Sequence, residues 1–448
     1  MTTNNRTQYD TRGVPVSSCA PESLQDYETA LRQFQDYFGD PTVTLAATLE
    51  RDPEFVMGHV FNASAMLMMS ERQYLPMVRE SIEKGEALAS KSNDREKGLL
   101  VAARHWLEGR WDRACVAWDR VLADYPQDAM AVQCAHLTDF YLGDAVNLRD
   151  RIGRVIGSWG REAPGYSFIL GMQAFGLEEC NHYGKAEEAA REALSIEARD
   201  PWSVHALAHV LEMQNRYEEG RQFMSSRVDD WAPDNGFAFH NWWHLALFHL
   251  EQEDHAGALK LYDEQILPGG ESEISLQMLD ATALLWRLQL QDVDVADRWN
   301  VIADLWASKV PAENGYYAFN DLHAIIAMVG AGRLDDARSV LADVRQAAAT
   351  NPELTRMMAR DVGLPACEGV IAFAEQRYDD AVDAIYSIRS IANRFGGSNA
   401  QRDILTQTLI ESAIRSRQQG LAANLLNERS VLKPFSPLTQ RFRSKIAH

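Results

Sequence analysis

The sequence predicts an all-α fold, a right-handed α-solenoid of helical hairpins. Three observations predict it. Nearly every segment places apolar residues at three- and four-residue spacing, with short polar joints and little strand-type alternation. A pattern of small residue, aromatic, Ala, aromatic and Pro returns with a period near that of a known 34-residue repeat. No low-complexity linker divides the 448 residues, although that length usually implies several domains or one repeat array.

In chain order, residues 1–22 read as a polar N-terminal extension, and 23–433 as one continuous array. Residues 434–448 read as a polar, partly basic tail that caps the last hairpin. An early hairpin is expected over 45–53 and 55–69. The repeat is plainest at Gly109-Arg110-Trp111-Asp112-Arg113-Ala114, followed by Trp118 and Pro126. This is the tetratricopeptide pattern. Its small residues let two helices approach, its aromatics fill the space between hairpins, and its Pro stops the second helix. Echoes follow at Tyr183 with Ala186, Ala190 and Pro201, at Tyr217 with Gly220, and at His255 with Ala258 and Pro268. Further echoes are Leu334 with Ala337, Tyr378 with Ala381, and a degenerate Leu421 with Asn424 and Pro434. Pro268-Gly269-Gly270 and Phe395-Gly396-Gly397 read as ordered loops inside the array.

Composition narrows the function. With 44 basic and 64 acidic residues the net charge is −20, and no Lys/Arg tract offsets it. Such a chain repels a phosphate backbone, so no nucleic-acid partner is expected, and no acidic membrane surface. Five widely spaced cysteines without a CxxC point to reduced thiols in a cytoplasmic protein. Residues 1–12 lack the apolar core of a signal peptide, and no run of about 18 apolar residues occurs to span a membrane.

Several strings are more specific than the repeat. They are Trp202-Ser203-Val204-His205-Ala206-Leu207-Ala208-His209, His240-Asn241-Trp242-Trp243-His244, Phe319-Asn320-Asp321-Leu322-His323, Ala359-Arg360-Asp361-Val362-Gly363-Leu364-Pro365 and Gly396-Gly397-Ser398-Asn399-Ala400-Gln401-Arg402-Asp403. Together they resemble the tetratricopeptide repeat protein 38 family over nearly the full chain. That resemblance implies an all-helical repeat protein, usually cytosolic, and implies no particular activity.

Two His pairs stand out, His205 with His209 and His240 with His244, each at i, i+4 and 35 residues apart. On helices each pair shares one face. Matching positions of neighbouring repeats line up, so the pairs are expected to converge on the concave face, together with Glu212. His244 is ambiguous, because counting back from His255 turns it by about 60° relative to the count from the previous repeat. Asp280, 36 residues after His244, falls in the next first helix, and Asn320, Asp321 and His323 in the one after. Trp202, Trp242, Trp243 and Trp286 interleave with them.

For the His pairs, structural hydrogen bonding stands beside a ligand, metal or catalytic role. The tryptophans read as core, Trp243 least so. Arg360-Asp361 and Gln401-Arg402-Asp403 read as loop clamps, with Arg360 or Arg402 as the alternative anchor for an anionic ligand group. His205 and His209 lack the Glu of HExxH, so no zincin is present. His205, His209, His240 and Asp280 suit Zn²⁺ or Fe²⁺ by ligand type alone, which assigns neither metal nor cofactor. No GxSxG, P-loop or GxGxxG occurs. Glu212 at a groove position disfavours an acidic chaperone tail.

The leading expectation is therefore binding of a small molecule or short peptide at His205, His209, Glu212, His240, Trp243, His244, Asp280, Asn320, Asp321, His323 and Arg402. The alternatives are a hydrolase, possibly metal-dependent, using the same cluster, and an interaction scaffold with structural histidines. A homodimer through an exposed terminal hairpin completes the expected partners.

Overall fold

The computed structural model describes residues 8–17 and 20–446. Cys19 and parts of the expected N-terminal extension and C-terminal tail lie outside the described residues. The fold is all-α, with one two-residue hairpin of strands, Gln8–Tyr9 antiparallel to Pro15–Val16. Two compact units are present. The first holds residues 1–206, 233–236 and 352–354; the second holds 207–232, 237–351 and 355–448.

In the first unit the hairpins follow one another as in an α-solenoid. Val56–Leu67 packs on Leu75–Ala87, Asp94–Leu107 on Trp111–Asp124, and Tyr166–Glu179 on Tyr183–Ile196. The repeat aromatics do what their type predicts. Trp111 opens its helix, is buried, and stacks on Trp106 at 4.5 Å between ring centroids. Trp118 is buried about two turns further along. Small residues set the spacing where helices touch. A Cβ on Gly176 would lie 2.4 Å from the Leu148 carbonyl oxygen, so the Ala145–Val155 and Tyr166–Glu179 backbones meet there.

Side chains fix two of the helix starts in this unit's centre. Asn93 and Glu96 form a capping box, and Asp128 caps the Ala129–Leu142 helix while holding Arg95 in a buried ion pair of 2.6 Å. The N-terminal strand hairpin is tied to the same place. Arg95 donates to the Pro15 carbonyl, and Ser17 N–H donates to Glu96 at 2.8 Å.

The second unit continues the pattern, with Tyr217, His255, Leu334 and Tyr378 each the first residue of a second helix. Ala238–Glu251, Ser275–Leu290 and Ala318–Gly330 are successive neighbours. The two Gly-containing joints are ordered. Pro268–Gly270 is a 3-10 turn, and Gly397 sits at φ 77° with its Cα against Phe319. Residues past Lys433 form a helix, Pro437–Ile446, whose Leu438 and Phe442 are buried. It packs on Gln419–Leu432, Asn399–Arg415 and Ala238–Glu251. Among the described residues no helix is long and apolar enough to cross a membrane, and Cys115, Cys134, Cys180 and Cys367 are free thiols.

Candidate functional site

The interior of the second unit gathers most of the residues singled out by their spacing. His209 and Glu212 come from the Pro201–Met213 helix, His240, Trp243 and His244 from Ala238–Glu251, and Asp280 from Ser275–Leu290. All six are buried. These helices carry apolar residues nearly all round, so the few charged or imidazole positions on them face one another inside the unit.

His240 and Asp280 meet at 2.7 Å through Nδ1 and Oδ2. The carboxylate accepts, so Nδ1 carries the hydrogen, and in the neutral ring Nε2 is the acceptor nitrogen. Burial raises the Asp280 carboxyl above the usual range, opposed by His240 and by a hydrogen bond from Gln401. The His240 ring stacks on Trp243 at 5.5 Å.

His244 points to the same place, as the count from the previous repeat requires. Its ring centroid is 4.4 Å from that of His209 and 4.9 Å from that of His240. Burial, then the neighbouring His209 and His240, hold its pKa well below the usual value. The 3.8 Å approach of its Nδ1 to Glu212 is therefore a contact of a neutral ring, not an ion pair. Glu212 has its partner elsewhere. Burial alone would raise its carboxyl, but the Lys433 ammonium at 2.5 Å outweighs this and holds it low.

Arg287, Arg429 and Glu251, to which the sequence patterns gave no role, complete the cluster with Asp403, which they gave only a loop clamp. The Arg287 guanidinium donates to the carbonyls of Ala283, Ala400 and Gln401 and lies 5.3 Å over the Trp243 ring. Arg429 pairs with Asp403, whose carboxyl would rise on burial but is held down to about 2 by Arg429 and Lys433. Glu251 lies 3.7 Å from Arg429 and 3.9 Å from Lys433. One signal was available for Arg287. It follows Asp280 by seven residues in an otherwise apolar helix, which puts both charges on one buried face.

Asn320, Asp321, His323 and Arg402 make local contacts of their own. His205 belongs to the first unit, 5.1 Å from Phe175 and 5.0 Å from Trp202 between ring centroids. His323 is buried with Nδ1 donating to the Phe319 carbonyl at 2.8 Å, and burial pushes its pKa down to about 3. Asp321 accepts from the Gly315 N–H at 3.0 Å and so shapes the preceding loop. Asn320 lines a cleft with Lys309, Asn314 and Tyr317 that has room for about one water molecule. Arg402 donates to the Gly396 and Gly397 carbonyls and to Asn399, clamping its own loop through backbone oxygens. Arg360 pairs with the adjacent Asp361 at 2.6 Å.

In the first unit, Asp200 is the residue that spacing missed. It is fully buried and accepts from Trp202 N–H, Ser203 N–H and the Ser203 hydroxyl at the start of the Pro201–Met213 helix. Burial outweighs those bonds and lifts its pKa to about 7.

No family model matches the sequence. Solved structures of similar arrangement are helical-repeat proteins at low identity. Human IFIT1, solved as a dimer with m7Gppp-AAAA, is 13% identical, with 96% of this chain and 95% of that chain covered and a TM-score of 0.43. The APC/C hetero-tetramer Cut9-Hcn1 gives 11% identity, 95% and 76% coverage and a TM-score of 0.43. Yeast Tom70 gives 10%, 95% and 86%, and 0.31. By its own stacked helical hairpins this chain is an all-α helical-repeat protein.

One expectation is corrected here. A nucleic-acid partner was excluded on net charge, yet IFIT1, similar in helical arrangement, is held with capped RNA. Net charge sums the whole surface, whereas phosphate contacts depend on the local groove, so a total of −20 does not exclude such a partner.

Proposed function

We propose that this chain is a cytoplasmic protein similar to the tetratricopeptide repeat protein 38 family. On this reading it binds a small polar molecule or short peptide end in the interior of its second unit. The observation that carries the reading is the convergence of His209, His240 and His244 with Glu212 and Asp280 from three helices, beside the Trp243 face. An interior built only for stability has less costly options. Replacing buried ion pairs by apolar side chains of similar volume is often neutral or stabilising, so a cluster of this size has another use. Its mix of imidazole, carboxylate and aromatic faces is the lining of a polar-ligand site.

A second reading, hydrolysis, is favoured by the His240–Asp280 bond alone. There Asp280 orients the ring, and His240 Nε2 acts as general base toward a bound water. The metal-dependent form of that reading draws on the imidazole and carboxylate donors of the same cluster.

Native mass spectrometry of the purified full chain, with His240→Gln and Asp280→Asn variants, tests both readings. A stoichiometric small ligand lost from variants that melt within a few degrees of wild type supports binding. Turnover of an ester or amide panel that vanishes in Asp280→Asn supports the enzyme, and co-purifying Zn or Fe its metal-dependent form. Variants that unfold, from a wild type that holds no ligand and turns nothing over, would leave the histidines as structural groups.

A further inference from the structure

The least expected member of the cluster is Lys433. It follows the Gln419–Leu432 helix as its C-cap, at φ −125° and ψ 72°. Around it the chain faces outward, with Val431 81% exposed, Leu432 57% and Phe435 88%. The Lys433 side chain alone plunges from this stretch into the interior. Its ammonium reaches Glu212 Oε1 at 2.5 Å and lies 3.9 Å from Glu251 Oε1. The Ser436 hydroxyl donates to the other Glu251 oxygen at 2.7 Å. The second Glu212 oxygen lies against the His244 ring. Arg429 and Asp403 close the circle of charges.

This receptor has a definite chemistry. It is a pair of carboxylates on two helices, each engaged by one oxygen, next to a neutral imidazole. That arrangement suits a compact ammonium with three donors, whereas a flat guanidinium prefers a bidentate carboxylate.

We propose that Glu212, Glu251 and His244 form a recognition site for an aliphatic primary ammonium group, and that Lys433 is its built-in occupant. The proposal rests on reading the second unit's interior as a ligand site, and it names the ligand's chemistry as an alkylamine or an exposed lysine side chain. Binding requires the outward-facing 431–435 stretch to lift Lys433 out, which also gives an entry route to side chains that are otherwise buried.

Chemical rescue tests it on the full chain. Lys433→Ala is expected to lower Tm. Ethyl-, propyl- and butylammonium chloride should then restore it, with a shift that grows with the logarithm of amine concentration. Sodium chloride, 1-propanol and tetramethylammonium should not. An acetyl-Gly-Lys-Gly-amide arm separates the two ligand sources: rescue by free amines alone assigns a small amine, and rescue by the peptide assigns a lysine side chain. A folded Lys433→Ala protein indifferent to every amine and to the peptide overturns the proposal.

Should that variant fail to fold, wild type supplies the readout. Acylation of Lys433 by an N-hydroxysuccinimide ester, followed by peptide mass spectrometry, should run at least about tenfold slower than at exposed Lys97, and the Lys433-to-Lys97 ratio, which cancels ester consumed by the free amine, should rise with added butylammonium. An unchanged ratio overturns the proposal. Capture of a ligand without an amine, together with failed rescue, would sink this inference and leave the proposed binding function standing.

Discussion

Replacing Lys433 by Met keeps the aliphatic stem and deletes the charge. Glu212 then stays in the interior with its strongest partner gone, since the remaining neighbours are His209, a neutral His244 and Arg287. Removing one member of a buried ion pair costs about 3–5 kcal/mol, much more than the pair contributes relative to an apolar pair. The sign with pH follows from the carboxyl. Without Lys433, burial lifts the Glu212 pKa above its unfolded value, so the penalty applies above that value and fades as pH falls toward about 4.5. Urea titrations followed by far-UV circular dichroism at pH 8 and pH 5 therefore give different answers. Lys433→Met should lose about 3 kcal/mol or more at pH 8 and clearly less at pH 5, each relative to wild type at that pH. The double variant Lys433→Met/Glu212→Gln should recover most of the loss at pH 8. A loss below about 1 kcal/mol at pH 8, unchanged at pH 5 and additive with Glu212→Gln, would refute the account of this cluster.

His136 and His323 are both pushed down to about 3 by burial. Each therefore supplies stability that is whole above pH 6.5 and is lost as pH falls toward 3, at about 1.4 kcal/mol per unit. His323→Gln should flatten the fall of Tm between pH 6.5 and 4. Asp200, lifted to about 7, has the opposite sign, with stability full below about pH 4 and declining as pH rises through 7. Asp200→Asn should cost under about 1 kcal/mol at pH 8 and remove that decline in a pH series of melts. Gly397→Ala combines φ 77° with a Cβ 2.5 Å from the Phe319 ring, so a loss of about 2 kcal/mol is expected by urea unfolding.

The fold was legible because its signals are local and repeated. Trp111, Tyr183, Tyr217, His255, Leu334 and Tyr378 each open a helix, and every one stood at the matching position of the repeat pattern or of an echo of it. His209, Glu212, His240 and Asp280 were placed by the same arithmetic, since repeat spacing fixes which faces meet, whereas two counts left the facing of His244 open. Spacing says nothing of what fills the face. Lys433 and Arg429 lie outside any matching repeat position of the His pairs, and they reach the cluster through tertiary packing. Asp321, His323 and Arg402 bond to backbone groups close by in sequence, so local bonds hold residues that the sequence offered as ligand groups.

Lys433 and Glu212 are separated by 221 residues. A chain emerging from a ribosome displays Glu212, and then Glu251, long before the ammonium that neutralises them is synthesised. Until residue 433 has cleared the exit tunnel, the second unit holds carboxylates that its interior rejects, so it stays open to water and to chaperones. Premature stops upstream of Lys433 are thus expected to give chains that the cell degrades, even though most of their helices have already been made.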